Sequence, residues 1–371
     1  MPQPRTSPPF RADHVGSLIR PPELRDAHTQ FNQSKLARDA LRALEDKAIR
    51  DAIAMQERVG LQSITDGELR RNNWRDGFFE SVAGFSETRV GSSFSFTEYS
   101  GDTHPGMPVP VVTGKLARKK NITADDFAFT RGLTQRTAKA TLPAPSVNHF
   151  FSGDRSLKDS PYRDRHAFFA DVAAIYRAEI ADLAARGCTY LQIDEVAIAV
   201  LCDEKNRELV RRRGEDPDQL IADYIAAIND AVGGHAAGMT VCVHLCRGNA
   251  GHGQGSGGDD AVAAQLFAGL AVDGFFLEYD TPRAGGFAPL GHVPKGKMVV
   301  LGLLSTKLAS LEPKDAVKRR IDEAGKHIDL DRLCLSPQCG FASSYQTDRF
   351  TAADQERKLA HLVEIAREVW G

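Results

Sequence analysis

With 371 residues, 42% of them hydrophobic, the chain is long enough to bury a substantial core without disulfide staples. Its 47 Lys plus Arg against 49 Asp plus Glu leave a formal net charge of -2. No basic stripe interleaved with aromatics occurs, which argues against nucleic acid as a partner, and no apolar run approaches the roughly 18 residues a membrane span needs. The opening residues Met1-Pro2-Gln3-Pro4-Arg5 contain no apolar signal core, so a cytosolic protein is expected.

Short apolar runs alternate with longer stretches of helical periodicity, which predicts repeated βα units around a parallel sheet. The predicted strands are 13–18, 62–66, 139–144, 190–194, 240–245, 274–277, 297–302 and 332–336, with an additional strand at 110–115 inside an insertion. Predicted helices cover 35–59, 164–186, 216–231, 313–326 and 352–369. In the second of these, Phe168, Phe169, Val172, Ile175, Tyr176, Ile180 and Leu183 follow helical spacing. Eight units favour a (β/α)8 TIM barrel of the α/β class, read as one domain over residues 1–371 with excursions at about 72–137 and 247–259. Polar residues cluster at or just past the predicted strand ends, where a barrel gathers them at one mouth.

Chemistry concentrates in the last third. His244 and Cys246 lie two residues apart at the end of an apolar run, so in a strand they share a face. Glu278 closes a second such run and Cys339 follows a third. His, Cys, Glu and Cys make a complete four-coordinate set for Zn²⁺. Each alone is more often a core residue, but four ligand types closing separate strands are hard to obtain by accident. The spacing lacks the local CxxC pairs of zinc fingers and ribbons, so a site assembled by a large fold is expected. Cys242 and Cys334 are assigned to the core. The segment Gly248 to Gly258 is glycine-rich, but the Asp259-Asp260 pair after it would repel a phosphate at a helix start, so a loop or lid is expected there.

The His244-x-Cys246, Glu278 and Cys339 set resembles the zinc pattern of the catalytic C-terminal barrel of cobalamin-independent methionine synthases. Val15-Gly16-Ser17, Asp66-Gly67-Glu68, Leu191-Gln192-Ile193-Asp194-Glu195 and Ser336-Pro337-Gln338-Cys339-Gly340 extend the likeness over nearly the whole chain. The resemblance implies a zinc enzyme that transfers a methyl group to the sulfur of homocysteine. It implies that Gly16 and Ser17 meet the amino-acid carboxylate while Glu68 and Asp194 meet the ammonium. Near a turn or helix start, either acid alternatively caps backbone amides.

The chain departs from the pattern at the methyl donor. Folate-dependent members carry two barrels, and they place a histidine acid on the seventh strand where this sequence has Leu304. The tryptophan they hold beside the pterin falls near Asn148-His149-Phe150, and His149 is the candidate replacement acid. Two further possibilities stand beside the methionine-forming one. A single-barrel alkyltransferase of the epoxyalkane:coenzyme M type would need a basic anchor where this chain keeps Glu68 and Asp194. A non-catalytic zinc protein would need four permanent ligands rather than a displaceable carboxylate.

Overall fold

The computed structural model describes residues 5–97, 103–106, 108–247, 262–347 and 351–371. Its central strands are mostly apolar and almost wholly buried, as parallel strands covered by helices must be. Met298–Leu304, for instance, is buried throughout. Six such strands form one parallel sheet in the order Leu333–Pro337, Met298–Leu304, Gly274–Glu278, Thr240–Leu245, Tyr190–Glu195 and Ala140–Pro143. Spatial neighbours are sequence neighbours, the signature of successive βα units. Thr137–Ala138, continuous with the last of these, pairs in parallel with Ser63–Ile64.

The expected eight-stranded barrel is met only in part. Between residues 11 and 18 the described hydrogen-bonded ladder reduces to a single bridge from Ala12 to Leu335. A physical reason is Gly16, whose φ of 141° leaves the strand conformation. Side chains stitch this segment to its neighbours instead. Ser63 Oγ donates to Asp13 Oδ1 at 2.8 Å and Thr65 Oγ1 donates to the Gly16 carbonyl at 2.7 Å.

Helices begin where capping residues allow. Asp164 accepts from the Ala167 N–H at 2.9 Å to start Arg165–Ala185, and Asp216 caps Pro217–Val232, whose proline sits at a first-turn position where no N–H is needed. The final helix, Ala352–Trp370, opens on a Thr351/Asp354 capping box. The excursion at 72–137 holds an antiparallel ribbon, Val82–Val90 against Val109–Arg118, so the expected extra strand has a partner the sequence pattern did not reveal. The expected loop at 247–259 lies almost entirely outside the described residues. No helix among the described residues is long and apolar enough to cross a membrane.

One face of the central sheet carries a small separate cluster of Val15, Tyr190, Cys242, Phe276, Met298, Val300 and Cys334. Cys242 and Cys334 are buried there as core thiols, and burial pushes the Cys334 thiol up to about 12. Two residues further along the same strands, on the same face by strand alternation, the apolar layer gives way to Gln192, His244 and Glu278.

Candidate metal centre and substrate pocket

His244 sits in Thr240–Leu245 opposite Asp194 on one side and Phe276 on the other. Cys246 follows that strand, its N–H held by the Glu195 carbonyl at 2.8 Å. Glu278 ends Gly274–Glu278, and its Oε1 accepts from the Arg247 N–H at 2.9 Å. Cys339 follows Leu333–Pro337, between Gln338, whose N–H reaches the Leu304 carbonyl at 2.8 Å, and Phe341, whose N–H reaches the Ser17 carbonyl at 3.0 Å.

One ligand atom from each of His244, Cys246, Glu278 and Cys339 falls within 4.8 Å of all the others. The two sulfurs are 3.6 Å apart. That is well beyond the roughly 2.05 Å of a disulfide and close to the roughly 3.8 Å edge that two thiolates 2.3 Å from a tetrahedral zinc would span. His244 Nε2 and Glu278 Oε1 are 4.0 Å apart. Burial, then the charge of Lys139, pushes His244 down to about 3, so its ring is neutral and this contact is not an ion pair. Both ring nitrogens are buried without a hydrogen-bond partner. An orphaned neutral imidazole beside two sulfurs and a carboxylate is a donor set that fits a zinc-type ion. Burial raises Glu278 to about 7 against the opposing charge of Lys307, itself buried and paired with Asp280 at 3.2 Å.

Glu68 and Asp194 form the second half of the site, both buried. Thr141 Oγ1 donates to Glu68 Oε1 at 2.8 Å, and Arg71 Nη1 lies 3.5 Å from the same oxygen. Glu68 itself has φ 57°, a left-handed conformation uncommon outside glycine, and Arg20 Nη2 donates to its carbonyl at 2.5 Å. Asp194 accepts from Gln192 Nε2 at 2.7 Å. Burial, reinforced by Glu68, raises Asp194 to about 8.

Two glycines permit this crowding. A Cβ on Gly16 would lie 2.8 Å from Thr141 Cγ2, and one on Gly340 would lie 1.9 Å from Ser17 Oγ. Ser17 is therefore packed against the residue that follows Cys339, which joins the two halves of the site. His149 is elsewhere engaged: its Nδ1 lies 2.9 Å from the Tyr224 hydroxyl and its Nε2 2.9 Å from Asp154 Oδ1. Leu304 is fully buried. Sequence pattern alone missed Thr141, Arg71, Gln192 and Lys139. The available signal was a polar residue interrupting an apolar strand run, as Gln192 does between Leu191 and Ile193.

The model of the family described as "Cobalamin-independent synthase, Catalytic domain" matches residues 10–367. The chain belongs to this family. Within it, the chain is 38% identical to the uncharacterized protein YxjH of Bacillus subtilis (strain 168), over 98% of this chain and 95% of that protein. It is 25% identical to the 5-methyltetrahydropteroyltriglutamate–homocysteine methyltransferase of Mycobacterium leprae (strain TN), over 98% of this chain but only 43% of that protein. The chain thus spans less than half the length of the long methyltransferases. Among solved structures, a candidate vitamin-B12-independent methionine synthase from Listeria monocytogenes superposes with a TM-score of 0.75 at 31% identity, covering 99% of this chain and 100% of the other. A B12-independent methionine synthase from Shewanella sp. W3-18-1, solved with selenomethionine, shares the fold at a TM-score of 0.76 and 22% identity, covering 97% of each chain.

Proposed function

We propose that this member of the cobalamin-independent synthase family is a zinc-dependent S-methyltransferase that makes methionine from homocysteine, working in the cytoplasm as one (β/α)8 domain. The observation that carries this is the convergence of four ligand atoms on one point with the His244 ring left unpartnered. His244, Cys246 and Cys339 would hold zinc permanently and Glu278 exchangeably. Bound zinc supplies one thing: it turns a coordinated thiol, ordinarily protonated at neutral pH, into a thiolate. The homocysteine sulfur then attacks the donor's methyl carbon; the S–C bond forms, and the bond to the leaving group breaks with its electron pair departing on that group.

The protein's own residues place the rest of the substrate. Glu68 and Asp194 place two carboxylates side by side, with Arg71 within 3.5 Å of Glu68 and the charges of Arg20 and Lys139 also acting on the pair. Two adjacent acids that can both ionise suit the ammonium of an amino acid. Gly16 and Ser17, on the segment beside Gly340, take its carboxylate. The selenomethionine bound by the Shewanella relative agrees with an amino-acid ligand of this shape.

A donor other than a methylated folate is the second possibility. Leu304 carries no proton to give, and both nitrogens of His149 are engaged by Tyr224 and Asp154, so neither side chain offers the acid that a departing pterin would need. The retained acid pair speaks against a sulfonate-bearing thiol as acceptor.

Zinc X-ray absorption of the loaded protein with and without homocysteine tests the central claim. The expected change is loss of one light-atom neighbour and gain of a third sulfur; an unchanged shell would mean a structural ion. A donor screen reading methionine by mass spectrometry then separates folate from other methyl donors.

A further inference from the structure

We infer that Lys139 and Gln192 are positioning residues that give the protein its preference for a thiol carrying an amino group, by locking Asp194 and the 14–17 segment into one unit. The inference rests on the amino-acid pocket proposed above and adds to it the residues that aim it.

Lys139 has its side chain wholly buried against Asp13. An ammonium offers three donors and no acceptor. Its three acceptors are the His14 carbonyl, Asp13 Oδ1 at 3.2 Å and Gln192 Oε1 at 2.9 Å. A glutamine amide has an accepting and a donating end, and turning it over exchanges them. Because Lys139 can only donate, the Gln192 oxygen must face it. The amide nitrogen must then face the opposite way, where it donates to Asp194 Oδ1 at 2.7 Å and to the Val15 carbonyl at 2.6 Å. In the turned-over state the oxygen would meet two acceptors and the nitrogen would meet an ammonium.

These bonds matter because, among the described residues, the backbone holds this segment only at its ends, through Asp13 to Leu335 on one side and through Ser17 to Phe341 and Leu18 to Gly67 on the other. Around Gly16 the ladder is reduced to the Ala12–Leu335 bridge. The successive carbonyls of His14, Val15 and Gly16 are instead taken by Lys139, Gln192 and Thr65 side chains. One amide nitrogen therefore sets the distance between the acid that meets the ammonium and the segment that meets the carboxylate. None of these bonds touches the four metal donors, so the metal half of the site should not depend on them.

The experiment compares homocysteine with 4-sulfanylbutanoate, which lacks the amino group, by calorimetric binding to zinc-loaded wild type and Gln192→Met. Wild type should favour homocysteine. In Gln192→Met, homocysteine affinity should fall roughly tenfold, the loss of a hydrogen bond to a charged group, while 4-sulfanylbutanoate, which depends on the carboxylate segment alone, should lose clearly less and zinc content should stay at the wild-type value. If Gln192→Met does not fold, Lys139→Met/Gln192→Met, which removes the buried ammonium together with its acceptor and adds no charge beside Asp194, carries the same expectation. A variant that keeps the wild-type preference, or weakens both thiols equally as a merely structural residue would, overturns the inference and leaves the pocket standing. A wild type that does not distinguish the two thiols overturns the pocket and the inference with it.

Discussion

Under the proposed function, the raised Asp194 carboxyl makes amino-acid binding a proton-releasing event. At pH 7 a group raised to about 8 is about nine-tenths protonated, and ionising it to meet an ammonium costs about 1.4 kcal/mol. Methionine is the cleanest probe, because its thioether has no proton of its own to contribute. Its binding should release about 0.9 proton at pH 7 from wild type and close to none from Asp194→Asn, whose amide does not titrate. The ionised form is the one that binds, so affinity should be lost as pH falls through about 8, by about tenfold per unit well below it, and should level off above it until methionine's own ammonium deprotonates. Isothermal titration in two buffers of different protonation enthalpy reads the proton count directly. Equal proton release by wild type and Asp194→Asn would refute the assignment of Asp194 as the ammonium's partner.

Three more outcomes follow from the geometry. Cys246→Ser and Cys339→Ser should lose most of the zinc that wild type retains through dialysis, while Glu278→Ala should keep a substantial part, as measured by elemental analysis; equal losses would rule out an exchangeable carboxylate. Folding favours the proton on Asp194, since its carboxyl is raised in the native chain, so the native state is weakened by this residue as pH rises from about 4 through 8. Ligand-free Asp194→Asn should therefore melt a few degrees above wild type at pH 8 with little difference at pH 4, and no gain at pH 8 would count against the raised carboxyl. Gly340→Ala places a methyl 1.9 Å from Ser17 Oγ and should cost roughly 1–3 kcal/mol in denaturant unfolding, part of it recovered by adding Ser17→Ala. Simple additivity of the two changes would deny that contact.

Much of the candidate site was legible because each candidate metal donor closes an apolar run, and a run that ends on His, Glu or Cys announces a strand tip with chemistry on it. The central strands lie close to where the apolar pattern puts them; Thr240–Leu245 coincides with it at both ends, and Tyr190–Glu195 and Gly274–Glu278 each run one residue further. The first strand is the exception. Residues 13–18 look like the others in composition, but Asp13 and Gly16 divert them into side-chain bonds that a linear pattern does not encode. Helix Pro22–Asn32 escaped notice because it buries only Leu24, Ala27 and His28, too narrow a stripe to register as periodic. Val82–Val90 escaped because Gly84 and the register shift between Ala83 and Phe85 break its alternation. Gln192 and Lys139 stand 53 residues apart, so each reads as an isolated polar intruder, and only folding shows that they face each other.

The bridge from Ala12 to Leu335 also governs when the protein first becomes competent. A ribosome adding 5–20 residues per second needs on the order of 20 to 60 seconds to travel between those two positions. Throughout that interval Gly16 and Ser17 are already made but lack the strand beside which they settle, and Cys339, the last sulfur donor, does not yet exist. A chain made only to that point thus lacks both the fourth candidate metal donor and the strand that seats Gly16 and Ser17, and the two arrangements become complete within a few residues of each other.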